Sequence, residues 1–301
     1  MSRRKWVLAA LALVAGVFAV RFGRTFPWSQ TMNTVADADW MTLGAAAVIN
    51  IVSLMAKAEA WRVLLRRLAP VRASTAQIAT FLGAAVNSVS VSVSGEAARA
   101  QSTAMRDGVP IRLTAASLLA SRVVEALGLI VFLSLALILL PLWPASRALG
   151  LSLAAIAVIA GVCYHLLPRA RWHPTIRSLA GFERGGLAGP VALAVLSWVA
   201  QWMTYHWSIV ATHATITPAV SLAALVAANL AGILRLTPGN IGVMQGSIIL
   251  GMGVFQIPAA NALAAGLAIQ AVQVIPILVI GTGIVGARAF RQRSSSRAEA
   301  A

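Results

Sequence analysis

Two pairs of opposite charge sit where an apolar chain should carry none. Arg122 and Glu125 interrupt the apolar run 112–140, and Glu96 and Arg99 lie within the apolar region 74–108. In both pairs the spacing is i,i+3, which places the two groups on one face of a helix. Arg122 is 10 residues beyond Arg112, about 15 Å along a helix axis. An ionised side chain at that depth in a bilayer costs at least about 2.5–3.5 kcal/mol, so it must face protein, water or a ligand. Arg235 has no acid near it in the sequence, and its partner is either remote or a ligand. Glu96, Arg99, Arg122, Glu125 and Arg235 are therefore the candidate lining of a polar cavity at mid-depth. Three guanidinium groups suit a headgroup phosphate, and two carboxylates can hold them or meet a cationic or hydroxylated headgroup. The plainer alternative is that the i,i+3 pairs are internal salt bridges locking helices together.

The elements that carry these charges are interrupted. The region 74–108 breaks at 87–95, from Asn87 to Gly95, and the region 218–257 breaks at Thr237-Pro238-Gly239-Asn240, with Gly242 close behind. Both stretches carry strong helix punctuation. A helix restarting after Gly95, with Ser94 able to cap, points free N–H groups inward, and one restarting after Gly239-Asn240 does the same from the opposite side. Half-helix N-termini attract anionic groups. The breaks are expected to act as hinges, and each region is either a re-entrant loop or a full two-helix hairpin.

Composition identifies the solvent. Of 301 residues, 59% are hydrophobic and 11% charged, with mean hydropathy +0.83; soluble domains carry about 25% charged residues. This chain cannot build a surface that faces water all round. In a soluble protein a net charge of +16 would suggest nucleic acid, but here it fits the positive-inside rule and anionic lipid, with no nucleic acid. One cysteine, Cys163, allows neither an intramolecular disulfide nor a cysteine-clustered metal site. No cofactor or metal site is expected, and no phosphate-binding Gly-x-x-x-x-Gly-Lys-Ser/Thr element occurs.

Apolar runs at about 6–22, 40–61, 112–140, 147–167, 189–212 and 259–286 predict an all-α polytopic membrane protein with six full spans plus the two broken hairpins. If each broken region enters and leaves on one side, 17 of the 24 cations are cytoplasmic, three are outside and four lie in apolar segments. Both termini are then cytoplasmic. The halves, about 1–141 and 145–287, read as an inverted repeat, the plan of many transporters. The membrane domain is 1–287, and the basic tail 288–301 is expected to be disordered. Trp6, Trp28, Trp40, Trp61, Trp143 and Trp172 fall near helix ends, as interfacial anchors do. Trp198, Trp202, Tyr205 and His206 share a helix face and read as a packed aromatic seam. Gly246, Gly251, Gly253, Gly281, Gly283 and Gly286 read as sites of close helix packing, and Gln245, Gln270 and Gln273 as interhelical hydrogen-bonders.

Four segments together resemble a known family: Ala60-Trp61-Arg62-Val63-Leu64-Leu65, Gly95-Glu96-Ala97-Ala98-Arg99, Arg122-Val123-Val124-Glu125 and Leu236-Thr237-Pro238-Gly239-Asn240-Ile241-Gly242-Val243-Met244-Gln245-Gly246. They are similar to the flippase-like family, also called the lysylphosphatidylglycerol synthase transmembrane region. It forms the membrane half of the bacterial multiple peptide resistance factor. The resemblance covers about 5–290 and implies movement of a lipid or lipid-linked sugar between leaflets of the bacterial plasma membrane. Members usually carry an acid shortly after the Pro-Gly element and an arginine in the last helix. Here Gln245 stands at the first position, which places it among the binding candidates. The last helix offers Gln270 and Gln273, so the change looks like neutral replacement of a pair.

The expected function is transport of a lipid, not an enzymatic reaction. Anionic phospholipid, polyprenyl-linked lipid and hopanoid-type precursors are the open partner classes. The rival readings are a lipid-modifying membrane transferase, with Glu96 or Glu125 as base, and a non-transporting accessory or lipid-sensing subunit.

Overall fold

The computed structural model describes residues 26–90, 94–139, 150–152, 188–232 and 237–299. The expected spans at 6–22 and 147–167 and the basic loop 168–188 lie outside these residues, apart from 150–152 and 188. So do Arg235, Trp6, Trp143 and Trp172.

The described chain is helical. It runs α1 (Trp28–Ala36), α2 (Trp40–Leu65), α3 (Ala73–Val89), α4 (Ser94–Asp107), α5 (Ile111–Leu139), α6 (Ala188–Val210), α7 (Pro218–Gly232), a single 3₁₀ turn at Pro238–Asn240, α8 (Val243–Gly253) and α9 (Ala259–Glu299). Three helices are long and apolar enough to cross a membrane: Trp40–Leu65, Ile111–Ile138 and Ala259–Phe290. The tail expected to be disordered from 288 is instead continuous with α9, whose helical backbone reaches Glu299. Arg288, Arg291 and Arg297 extend a long apolar helix, and the change in composition does not break it.

Local chemistry sets the ends. Asp39 caps α2 by accepting from the Met41 and Thr42 amides at 2.9 and 3.3 Å, the usual remedy for orphan N–H groups at a helix start. The Thr42 hydroxyl also donates to Asp39 and, as the largest influence, holds its carboxyl below the ordinary range. Gly108, at φ +67°, turns the chain from α4 toward α5, with Pro110 immediately before the first residue of α5.

Both broken regions are antiparallel helix pairs. The base of the α3–α4 pair is closed by Arg72, whose backbone N–H and Nε donate to Asp107 at 2.9 and 2.7 Å. The region 74–108 therefore enters and leaves at one end of the bundle. The α7–α8 pair has its base at the other end. There Asp39 N–H donates to Ala211 O at 2.8 Å, and the Thr31 hydroxyl reaches Ala260 O at 3.3 Å. Arg288 lies beside Met105 at the α4 end, so α9 traverses the whole bundle. The arms of the pairs, 17, 14, 15 and 11 residues, are about 16–26 Å long, shorter than the ~30 Å hydrocarbon layer.

Each pair has its own apolar seat. Trp61, Leu65, Ala76, Ala79 and Leu118 pack around α3. A larger cluster, including Phe132, Trp198, Ile209, Leu225, Ile248 and Ile269, holds α7 and α8. Helix α2 lies against α6, joined by the Ser53 hydroxyl donating to Ser197 O at 2.9 Å. Of the glycines expected at close contacts, Gly251 and Gly281 fit: a Cβ would fall 3.0 Å from Ala223 O and 2.6 Å from Ala85 Cβ respectively. Gly246, Gly253, Gly283 and Gly286 instead face open space.

Candidate functional site where the two breaks meet

The tips of the two pairs touch in the interior. Gly239 lies so close to Ser88, at the end of α3, that an added Cβ would stand 2.6 Å from the Ser88 carbonyl oxygen. Gly239, Asn240 and Gly242 all have positive φ, at 59°, 55° and 84°, so the second break is a run of left-handed backbone for which glycine is the cheapest residue. Pro238 opens the 3₁₀ turn.

Side chains close both breaks. At the first, Asn87 Oδ1 accepts from Gly95 N–H at 3.0 Å, and the Ser90 and Ser94 hydroxyls bond each other. Gly95 must be glycine, because a Cβ there would run into the Asn87 amide. At the second, Gln245 Oε1 accepts from Gly242 N–H at 2.7 Å, its Nε2 donates to Gln270, and Gln270 Nε2 donates to Gly239 O at 3.0 Å. Gln245 and Gln270 thus form the interhelical hydrogen bond expected of them. Gln245 is 5% exposed, its amide oxygen bonded to the break and its amide nitrogen to Gln270, and it lies outside the cavity lining. The N–H groups at Gly95 and Gly242 are likewise occupied by the chain's own amides, so neither is left to an anion.

The charged residues form one network across helices. Arg122 bonds Glu96 of α4 and also Glu125 Oε2 of its own helix at 3.2 Å. Trp198 Nε1 donates to the Glu125 carbonyl at 2.9 Å, fixing α6 against this turn. Arg99 turns to the Trp61 ring, with its guanidinium carbon 4.3 Å from the centroid, a cation–π contact. The stem of Arg99 passes Gly83, where a Cβ would stand 2.5 Å from Arg99 Cγ. Trp61 is therefore not an interfacial anchor. It is fully buried, donates to Ser117 Oγ at 2.9 Å and presents its face to Arg99. Trp28 and Trp40 are exposed near the opposite end, as anchors should be.

A cavity of about 1160 Å³ lies at this junction. Arg122 and Glu96 line it, with Arg122 keeping 49% of its side chain exposed. Asn87, Gly239 and Asn240 bring both breaks to its wall. Arg99 and Glu125 support the lining from behind it. Polar residues outside the binding candidates of the sequence also line it, among them Asn50, Lys57, Gln201, Asn229 and Tyr205. Tyr205 belongs to the expected aromatic seam, and its hydroxyl meets Gln273, another lining residue. Lys57 was legible as a lysine in an apolar helix. Its connection to the site was not, because its partners Gln201 and Trp198 come from α6, 144 and 141 positions away. Ile111, Ala115, Leu118 and Leu119 continue the lining along the same face of α5 as Arg122.

No curated protein matches the chain. The family model described as Lysylphosphatidylglycerol synthase TM region matches residues 7–281, a stretch that contains both breaks and the whole charged network. The chain is a member of that family, an integral membrane protein whose charged groups and helix breaks are gathered at one interior site.

Proposed function

We propose that this protein moves a lipid, or a lipid-linked precursor, between the leaflets of a bacterial plasma membrane. The observation that carries this reading is the junction itself. Two helix pairs based at opposite ends of the bundle meet tip to tip beside a cavity whose lining carries Arg122 and Glu96 next to an apolar strip of α5. A lipid has both parts: its headgroup meets Arg122 and Glu96, and its acyl chains follow Leu118 and Leu119. The short arms support re-entrant hairpins in an inverted repeat of six spans. The end that carries Arg62, Arg66, Arg67, Arg72, Arg106, Arg112 and Arg288 is cytoplasmic, because no Lys or Arg occurs in 26–41, 210–219 or 253–262 near the other end.

A transporter fits better than a transferase. Glu96 and Glu125 are both bonded to the Arg122 guanidinium, so neither carboxylate stands free to take a proton from a substrate. The test is fluorescent-lipid movement in vesicles containing the purified protein. Arg122→Ala should abolish it while the protein remains folded. Movement at the wild-type rate would sink the assignment.

A further inference from the structure

Lys57 shares the cavity but stands outside the ion-pair network. Its ammonium donates to Gln201 Oε1 at 3.2 Å and lies 5.0 Å from the Trp198 ring centroid. No carboxylate pairs with it among the described residues. Arg122 holds two carboxylates and Arg99 lies over Trp61; among the described lining residues, Lys57 is the cation outside an ion pair. Asn50 lies two turns back on the same face of α2 and is 5% exposed. Its Nδ2 is buried at the cavity wall with no partner. Buried amide N–H groups are almost always satisfied. Helix side chains lean toward the N-terminus, which carries the Lys57 ammonium toward Asn50.

We propose that Lys57 and Asn50 form the anion seat of the cavity and take a singly charged phosphate group on a lipid. This rests on the reading of the cavity as a headgroup site. Glu125, Arg122 and Arg99 are within electrostatic reach of Lys57. With Glu96, the described groups comprise three cations and two carboxylates, one positive charge in surplus. A phosphodiester neutralises that surplus. Against the described groups alone, a diphosphate leaves a further charge uncompensated in a low-dielectric site. The apolar strip at Leu118 and Leu119 favours a lipid over free phosphate.

Native mass spectrometry of the purified protein tests this with four probes: phosphatidylglycerol, diacylglycerol, a polyprenyl diphosphate and inorganic phosphate. Wild type should retain phosphatidylglycerol at least about tenfold better than diacylglycerol, the scale of one charge-assisted contact. Lys57→Gln should remove that preference, Asn50→Leu should cut it severalfold, and Lys57→Arg should keep most of it. Each variant keeps the shape of a group that has no charged partner, so the melting temperature should hold, and the Lys57→Arg comparison reports independently of folding. Retention by Lys57→Gln within twofold of wild type overturns the seat. Tighter retention of the diphosphate overturns the charge class, and displacement of the lipid by millimolar inorganic phosphate overturns the lipid. Retention through Lys57 without movement between leaflets instead sinks the transport reading and leaves the seat standing.

Discussion

The two helix pairs share a plan of helix, break and helix, each break closed by a side-chain amide bonded to the backbone, and they differ in what ties the pair to the rest of the bundle. The α3–α4 pair is the polar one. Its second arm carries Glu96 and Arg99, its base is an Arg72–Asp107 ion pair, and it is tied to α5 through Glu96 and Arg122. The α7–α8 pair is apolar, seated in the larger core, and its break is held by neutral amides from Gln245 and Gln270. Ion pairs facing a cavity can exchange a protein partner for a ligand, since the ligand supplies the same charge. Neutral amide bonds to the backbone have no such substitute and make a fixed wall. On the proposed transport reading, this difference makes the first pair the moving one and the second the fixed one.

Substitutions at five positions would break or sharpen that contrast. Gly239→Val should have the largest effect, because it combines left-handed backbone with a Cβ thrust at the Ser88 carbonyl. A loss of roughly 3 kcal/mol is expected, read as the largest fall in melting temperature in detergent. An unshifted melting curve would mean that the tips do not touch. Gln270→Leu comes next, at about 2 kcal/mol, because it strips the Gly239 carbonyl and Gln245 of a buried partner. Restoring the charges with Gln245→Glu and Gln270→Arg together should recover much of that stability, while Gln245→Glu alone should not. Equal stability of the single and double charged variants would refute the pairing.

Glu96→Gln should cost less, about 1 kcal/mol, because Arg122 keeps Glu125 and is half exposed. Its larger effect should be on lipid movement. If it slowed movement no more than Gln270→Leu does, the division between a moving and a fixed pair would fail. The smallest effect is at the base of the first pair. Burial raises the Asp107 carboxyl, but the Arg72 backbone N–H and guanidinium outweigh it and hold the group below its ordinary 3.8. A depressed acid contributes stability that is present above about pH 4 and lost as pH falls through its folded value. Asp107→Asn should therefore lower the melting temperature by a few degrees at neutral pH, and the gap to wild type should close at low pH. A gap that persisted in acid would show that the pair is not what closes the base.

Much of this was readable before any coordinates. The breaks at 87–95 and 237–240 lie where punctuation put them, because Gly and Pro act on the backbone locally. The bond of Arg122 to Glu125 followed from i,i+3 spacing. The Glu96 pair with Arg122 was not readable, since the natural reading of Glu96 and Arg99 was a pair within one helix. Trp61 was misplaced for a related reason: position near a helix end does not reveal that another helix covers the ring. Lys57 was visible as an anomaly and silent about its neighbours.

The sequence by itself determined that lipid is the solvent, that a few ionisable groups must find partners inside it, and where the helices break. Those are properties of composition, rise per residue and backbone freedom, each confined to a short stretch of chain. Only the tertiary structure decided which helix answers each charge. Burying an ion is governed by the groups that surround it in space, and α2, α4, α5 and α6 reach that common point from widely separated parts of the chain.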